Sequence, residues 1–391
     1  MPAQNTTPHV ALLIETSRTY GRELLHGVRK YVTEQGPWSL FVESRSLQSP
    51  APPWLPGWHG NGILTRSGSQ AMVDAVKGAR VPTVELRATR LKHSFPFVGV
   101  NNCSLGKLVA EHFLERGFRN FAVYQLGEEE YFQQRCENFV QTVADHGFEA
   151  TSYHPRNRRE QPTQWERAQQ ELADWIHALP KPVGVMACTD QLGFWLLDAC
   201  KRCGASVPEE VAVVGVENDA SLCTMASTPL SSVELNGTAI GYRAAELLDH
   251  LMQGGKPPKT PVLVEPLGIV TRLSSDIVAV DDPELAGALL FMREHACEGI
   301  SVSDVLKAVA ISRSSLERGL RQLLGRSPNQ ELIRLKLLRV EEMLTHTDLN
   351  LAAIATKCGF RRTQHLAETF RQWYGMPPGK FRLERKHATE V

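Results

Sequence analysis

LERGLRQLLGRSP (Leu316–Pro328) and LAETFRQWYGMPP (Leu366–Pro378) repeat one pattern: fifty positions apart, Leu, Arg-Gln, Gly and Pro recur in register. In the first copy Leu316, Leu320 and Leu324 lie at i, i+4 and i+8, one stripe of a helix that Gly325 ends. In the second, Leu366, Phe370 and either Trp373 or Tyr374 form the stripe, and Gly375 ends it. A shorter amphipathic segment precedes each copy. Val305, Leu306 and Val309 precede the turn AIS; Leu351, Ile354, Ala355 and Cys358 precede Gly359. Two short helices joined by a three- or four-residue turn, the second with a polar outer face, describe a helix-turn-helix.

Between the copies runs SPNQELIRLKLLRVEEMLTHT. Ser327 suits an N-cap, Pro328 the first helical position, and the helical pattern continues to about His346. The expected units are therefore a helix-turn-helix at 302–325, a linker helix at 328–346 and a second helix-turn-helix at 350–375. A helix of roughly 18 residues is ~27 Å long, enough to hold two reading helices near the ~34 Å that separates successive major-groove faces of DNA. The early outer face of the first reading helix carries Arg313, Ser314, Ser315, Glu317 and Arg318; that of the second carries Arg361, Arg362, Thr363, Gln364 and His365. Arg can bridge guanine O6 and N7, Gln can bridge adenine N6 and N7, and Ser and Thr reach bases or phosphates. Glu317 suits cytosine N4, or a salt bridge to Arg321 one turn on. Glu368 suits solubility or an intrahelical pair.

Upstream, from residue 9 to about 275, apolar strands alternate with amphipathic helices. HVALLIET precedes a helix ending at Gly36. Strand-like WSLFVES, NGILTR, VPTVEL and FPFVGV follow. Ser104 is the expected N-cap of the next helix and Gly117 its stop. FAVYQL, VGVMACT and VAVVGVEN are further strands, and GTAIGYRAAELLDHLMQGG a closing helix. Near-continuous apolar strands imply parallel sheets covered on both faces. The expected fold is a two-lobed α/β domain over 1–275, a linker at 276–284 and an all-α domain over 285–391. Trp54 and Trp58, in a Pro/Gly-rich loop, are expected to pack that loop down.

Composition agrees with this division. The whole chain has no formal net charge, with 43 basic and 43 acidic residues, yet 285–391 holds 17 Lys and Arg against 11 Asp and Glu. A basic appendage on an acidic body suits a nucleic-acid partner. The eight cysteines are scattered, and Cys200-x-x-Cys203 stands alone, which suits helix packing rather than metal or redox chemistry. No apolar run approaches a membrane span, and the first residues lack the basic start of a signal peptide, so a cytoplasmic protein is expected. There is no P-loop around Lys107, no G-x-G-x-x-G after a strand, no H-E-x-x-H and no G-x-S-x-G; neither catalysis nor a cofactor is expected.

Ligands of two-lobed α/β proteins lie in the crevice at the carboxyl ends of the strands. Polar residues there are Arg18, Tyr20 and Arg22 after the first strand, Asn101 and Asn102 after FVGV, Asp190 after VGVMACT, and Glu217, Asn218 and Asp219 after VAVVGV. Carboxylates and carboxamides suit vicinal hydroxyls, each of which both donates and accepts, and an aromatic face suits the C–H side of a sugar. Tyr20, Trp165 and Trp195 are candidates for that face, with core packing the favoured reading of each. An Asp after a strand also serves as a helix N-cap, which is the competing reading of Asp190.

Residues 285–385 resemble the AraC/XylS family of DNA-binding domains, with KCGFRRTQHLAETFRQWYGMPPGKFR similar to that family's end signature. YGRELLHGV, VGVNNCSLGKLVAEHFLERGFRNFAVY, ACTDQLGFWLLDAC and VAVVGVENDASLCTMASTPLSSVELNGTAIGYRAAELL resemble the LacI/GalR and periplasmic sugar-binding fold. The resemblance implies a homodimeric transcription regulator that binds double-stranded DNA half-sites, meets RNA polymerase, and takes D-xylose or a related monosaccharide as effector. It places Asp190, Glu217 and Asn218 among the sugar contacts; Tyr20, Arg18 and Asn101, read from the strand ends, complete the set of ligand candidates. Two departures stand out: Asn101-Asn102 where relatives carry an acidic DN, and GVEN where they carry GIDN-like sequence. A regulator of a non-pentose ligand, and a sugar-binding protein whose helical tail reads no DNA, are the alternatives.

Overall fold

The computed structural model describes residues 7–127, 129–155, 162–277, 279–280 and 282–390. The first six residues, read above against a signal peptide, and positions 278 and 281 of the 276–284 segment lie outside them. Two compact units divide the chain, Met1–Ile277 and Val278–Val391.

In the first unit the elements run β1 (His9–Leu13), α1 (Thr19–Gln35), β2 (Ser39–Val42), β3 (Gly62–Thr65), α2 (Gln70–Gly78), β4 (Thr83–Glu85), β5 (Val98–Val100), α3 (Asn102–Glu115) and β6 (Asn120–Tyr124). They continue with α4 (Glu130–Asp145), β7 (Ala150–Tyr153), α5 (Pro162–Ala178), β8 (Val183–Ala187), α6 (Asp190–Cys203), β9 (Val211–Val216), α7 (Ala220–Met225), β10 (Ser231–Glu234), α8 (Gly237–Met252), β11 (Val262–Val264) and β12 (Gly268–Val270). One lobe is a parallel sheet in the order β2-β1-β3-β4, beside which β5 pairs with β11. The other is a six-stranded sheet in the order β12-β10-β9-β8-β6-β7, parallel except at β12.

Both faces of β1 are buried, as its unbroken apolar run requires. Ala11 and Leu13 meet Leu55, Ile63, Met72 and Val76 on one side, with Trp54 and Trp58 packed over them, so the Trp-bearing loop is indeed folded down. On the other side α1 and α8 cross closely. A side chain on Gly27 would sit 2.1 Å from the Thr238 carbonyl oxygen, and one on Gly241 2.0 Å from that of Leu24, so the crossing requires both glycines.

Three local expectations change. Asn101, not Ser104, caps α3: its side chain accepts from the Ser104 amide, and the helix starts earlier. Thr189 caps α6 by accepting from the Leu192 amide, which leaves Asp190 as the first helical residue. Helix α4, not foreseen, buries Phe132, Cys136, Phe139 and Val143, whose three- and four-residue spacing is a legible helical stripe. Cys200 is buried and the Cys203 thiol donates to its carbonyl, so this pair serves packing.

The second unit is helical: α9 (Pro283–His295), α10 (Val302–Val309), α11 (Arg313–Leu324), α12 (Pro328–His346), α13 (Leu351–Lys357), α14 (Thr363–Tyr374) and α15 (Pro378–Glu390). It has two cores. Leu316 and Leu320 of α11 pack with α9, Val305 and Ile311 against Leu332 and Leu335 of α12. Leu366 and Phe370 of α14 pack with Ile354, Ala355, Cys358, Phe360 and Phe381 against Leu337, Val340 and Leu344 of the same α12. One helix thus lends its first half to one core and its second half to the other. Ser327 caps it within a capping box completed by Gln330. Tyr374, not Trp373, completes the inner stripe of α14: Tyr374 packs on Phe370 and Phe381, whereas Trp373 is 46% exposed.

Candidate ligand cavity and nucleic-acid interface

The chain crosses between the lobes of the first unit at 100–102, 235–237 and 264–268. Asn101 belongs to this hinge. Its amide nitrogen donates to the Val264 carbonyl and its side chain to Glu265 at 2.7 Å, tying two crossings together. At the remaining crossing, 235–237, Asn236 takes a left-handed conformation with φ 59°.

Between the lobes lies a cavity with about 500 Å³ of empty space, its open mouth included. Its walls follow the topology. Glu15, Arg66 and Arg87 stand just past β1, β3 and β4; Arg18 and Tyr20 come from the start of α1; Asn102, Tyr131 and Arg135 come from α3 and α4; Glu217 comes from the end of β9. Of the six ligand candidates from the sequence, Tyr20, Arg18 and Glu217 line this cavity, whereas Asn101, Asp190 and Asn218 do not. Trp165 and Trp195 do not line it either. The strand-end rule, applied to β1, β3 and β4, finds Glu15, Arg66 and Arg87. Tyr131 and Arg135 ride on a helix and carry no such signal.

The lining is charged and mostly paired. Arg66, enclosed by protein, makes an ion pair with Glu15 and lies over the Tyr20 ring at 4.9 Å. Burial, with the Arg87 charge nearby, lowers its guanidinium pKa to about 10, which still leaves it cationic at neutral pH. Burial pushes the Tyr20 phenol well above its ordinary value, so the hydroxyl stays neutral. Arg87 donates to the Ser67 carbonyl at 2.7 Å and pairs with Glu129. Arg135 donates from Nε to Asn102 Oδ1 at 2.9 Å and from Nη1 to the Cys188 carbonyl at 2.6 Å, and lies over the Tyr131 ring. Arg18 faces Glu217 at 3.7 Å.

Glu217 and Asn218 both have positive φ, 113° and 49°, an uncommon conformation for residues with a Cβ and one that recurs at functional sites. The turn is held from beneath. Asp190, fully buried, accepts from the Asp219 amide at 2.7 Å and from the Ser232 hydroxyl. The Asn218 amide donates to Ser232 Oγ, and its side-chain oxygen accepts from Arg272. Asp190 and Asn218 therefore brace the turn that presents Glu217. Burial, with the Glu217 charge adding to it, raises the Asp190 carboxyl to about 7.

In the second unit Arg313, Ser314, Glu317 and Arg318 are exposed on α11, and Ser315 is half-buried. Arg361, Arg362, Gln364 and His365 are exposed before and on α14, and Thr363 is half-buried. Ser312 caps α11 by accepting from the Ser315 amide and is hydrogen-bonded to the Ser315 hydroxyl. Glu317 pairs with Arg313 at 3.7 Å rather than with Arg321, so its carboxylate turns toward the start of the helix. Gln364 donates to Glu368 at 3.0 Å, the intrahelical pair expected for Glu368. Behind the second turn, Lys336 of α12 donates to the Gly359 carbonyl. Among the described residues, no cluster of three or more His, Cys, Asp or Glu could hold a metal ion, and no helix is long and apolar enough to cross a membrane.

Comparison with known proteins agrees with both units. Residues 110–275 match a periplasmic binding protein-like domain and 305–384 a helix-turn-helix domain. The xylose operon regulatory protein of Escherichia coli K12 is 30% identical over 383 residues, covering 95% of this chain and 96% of its own length. That of Haemophilus influenzae is 28% identical over 387 residues, covering 96% and 98%. A solved structure of the xylose-binding transcription activator xylR superposes with a TM-score of 0.79 at 28% identity, covering 97% of this chain and 98% of that one. End to end, this chain belongs to the family of the xylose operon regulatory proteins, transcription regulators that join a periplasmic-binding-protein-like domain to a helix-turn-helix DNA-binding domain.

Proposed function

We propose that the chain is a cytoplasmic, non-catalytic regulator that takes D-xylose or a closely related monosaccharide in the cavity between its lobes and answers by changing how it holds promoter DNA. The observation that carries this reading is the cavity itself: it lies at the carboxyl ends of the strands, both lobes contribute to it, and its lining mixes carboxylates, guanidinium groups, a carboxamide and phenols. Tyr20, Arg18 and Glu217 act as direct contacts, joined by Glu15, Arg66, Arg87, Asn102 and Arg135. Asp190, Asn218 and Asn101 serve the site indirectly, the first two through the Glu217 turn and the third through the hinge. A sugar that meets both lobes at once favours the closed state by its extra contacts there.

On the DNA side, Arg313, Ser314, Ser315, Glu317 and Arg318 of one reading helix, and Arg361, Arg362, Thr363, Gln364 and His365 at the other, face successive major-groove segments. The chain works as a homodimer on paired half-sites, close enough to a promoter to meet RNA polymerase. The test is isothermal titration of the full chain with a panel of pentoses and hexoses, followed by DNA-binding assays with and without the sugar that binds. Binding of D-xylose or a near relative, with altered operator affinity, is the expected result. Failure of every monosaccharide to bind would overturn the effector assignment, and DNA affinity that ignores salt would overturn the DNA reading.

A further inference from the structure

Outside the cavity, at its rim, a second set of contacts joins the lobes. Arg90, in the segment after β4, donates from Nε to Glu130 Oε2 at 2.6 Å, and its Nη2 donates to Gln133. Glu130 and Gln133 stand on the first turns of α4, in the opposite lobe. Neither Arg90 nor Glu130 lines the cavity. Each is, however, chained to residues that do. Arg87, three positions before Arg90, lines the cavity and pairs with Glu129, the residue before Glu130. Tyr131 follows Glu130 directly, and Gln134, which donates to Glu130 at 3.1 Å, accepts from Asn102.

We propose that Arg90 and Glu130 are positioning residues for effector binding: their ion pair fixes the 86–90 segment against the first turn of α4 and so sets the distance between Arg87 on one wall and Tyr131 and Arg135 on the other. The physical argument is one of linkage. A contact that exists only while the lobes are together adds its free energy to the closed state, and ligand affinity rises by the same factor. Two parallel pairs, Arg87 with Glu129 and Arg90 with Glu130, make the clasp a small network rather than a lone surface pair. Arg90 is largely exposed, with a side-chain accessibility of 61%, so the clasp is open to screening by salt.

The inference rests on the cavity being the effector site, and its test separates the two. Full-length wild type, Arg90→Glu, Glu130→Arg and the double exchange are titrated with D-xylose. Each single reversal is expected to weaken binding by about three- to tenfold, since repulsion replaces a modest attraction, and the exchange to recover most of the loss. Affinity of the wild type should fall with added salt, and Arg90→Gln should make that fall shallower. If the single reversals bind as the wild type does, or the exchange recovers nothing, the proposal is wrong. If the wild type binds no D-xylose, the sugar assignment is at fault, and the clasp is read without ligand by hydrogen exchange. Faster exchange at 86–92 and 129–135 in the single reversals, restored in the exchange, supports it; unchanged exchange overturns it.

Discussion

A buried carboxylate under a turn and a charged one in a cavity look alike in a sequence. Asp190 and Glu217 both follow strands, and both suit a sugar hydroxyl, but Asp190 is sealed beneath the turn that Glu217 tops. Strand ends were legible because apolar runs stop there; the direction each side chain takes was not, because it depends on Ser232 and Asp219, brought close only by the sheet. This difference has a pH signature. Asp190 is held near 7 in the folded chain against 3.8 ordinarily, and Glu85 near 7 against 4.5, both chiefly by burial. Folded chains keep those protons between about pH 4 and 7 while unfolded chains release them, so each group costs stability as pH rises through that window. Buried His112, held near 3 against 6.5, works in the opposite direction below pH 6.5. The clean readout is therefore a difference. Asp190→Asn should gain melting temperature relative to the wild type as pH rises from 4.5 to 7 and hold that gain above, in thermal melts across a pH series. Asp190→Ala should lower stability at every pH because it strands the Asp219 amide, and Glu217→Ala should weaken sugar binding about tenfold while leaving the fold intact.

At the scale of elements the duplication could be read from the chain alone, because a stripe of apolar residues and a stop glycine are local signals. The turns are less alike than the helices. Ala310 takes φ 55° in the first turn, where the second has Gly359 at φ 69°. A buried apolar residue follows each, Ile311 and Phe360, but the second turn then spends one more residue before its reading helix. A side chain in the left-handed region is strained, so Ala310→Gly should stabilise the unit by about 0.5–1 kcal/mol in denaturant melts. Glu331, at 2% side-chain exposure, bonds Arg334 at 2.7 Å and faces Arg326 at 3.4 Å, holding the end of α11 to α12. Glu331→Ala should cost about 3 kcal/mol, because it removes the buried carboxylate on which both guanidinium groups converge. On DNA, Arg318→Ala and Gln364→Ala should each cost about 1–3 kcal/mol and relax preference at one base position, measured over a library of operator variants. On the proposed reading Gln364 gives up its bond to Glu368 when it meets a base, so Glu368→Ala should leave that preference in place.

Taken whole, the molecule keeps its sensing and its DNA reading in separate compact units. The charge division already separated them: basic residues gather where phosphates are to be met, and three of the four guanidinium groups that line the cavity, those of Arg18, Arg66 and Arg87, pair with carboxylates. What the sequence could not convey is which polar residues would converge from segments as distant as Glu15 and Glu217. The shared helix α12 has a consequence of its own. Its 19 residues are a ruler of ~28 Å with an angular setting as well as a length. One alanine inserted at its middle would advance everything beyond it by only ~1.5 Å but rotate it by ~100°. On the proposed docking, the downstream half would then offer its guanidinium and carboxamide groups to the sugar-phosphate ridge instead of the floor of the groove. Such a variant should stay folded, keep its salt-driven hold on any duplex, and lose the ability to tell its own operator from another.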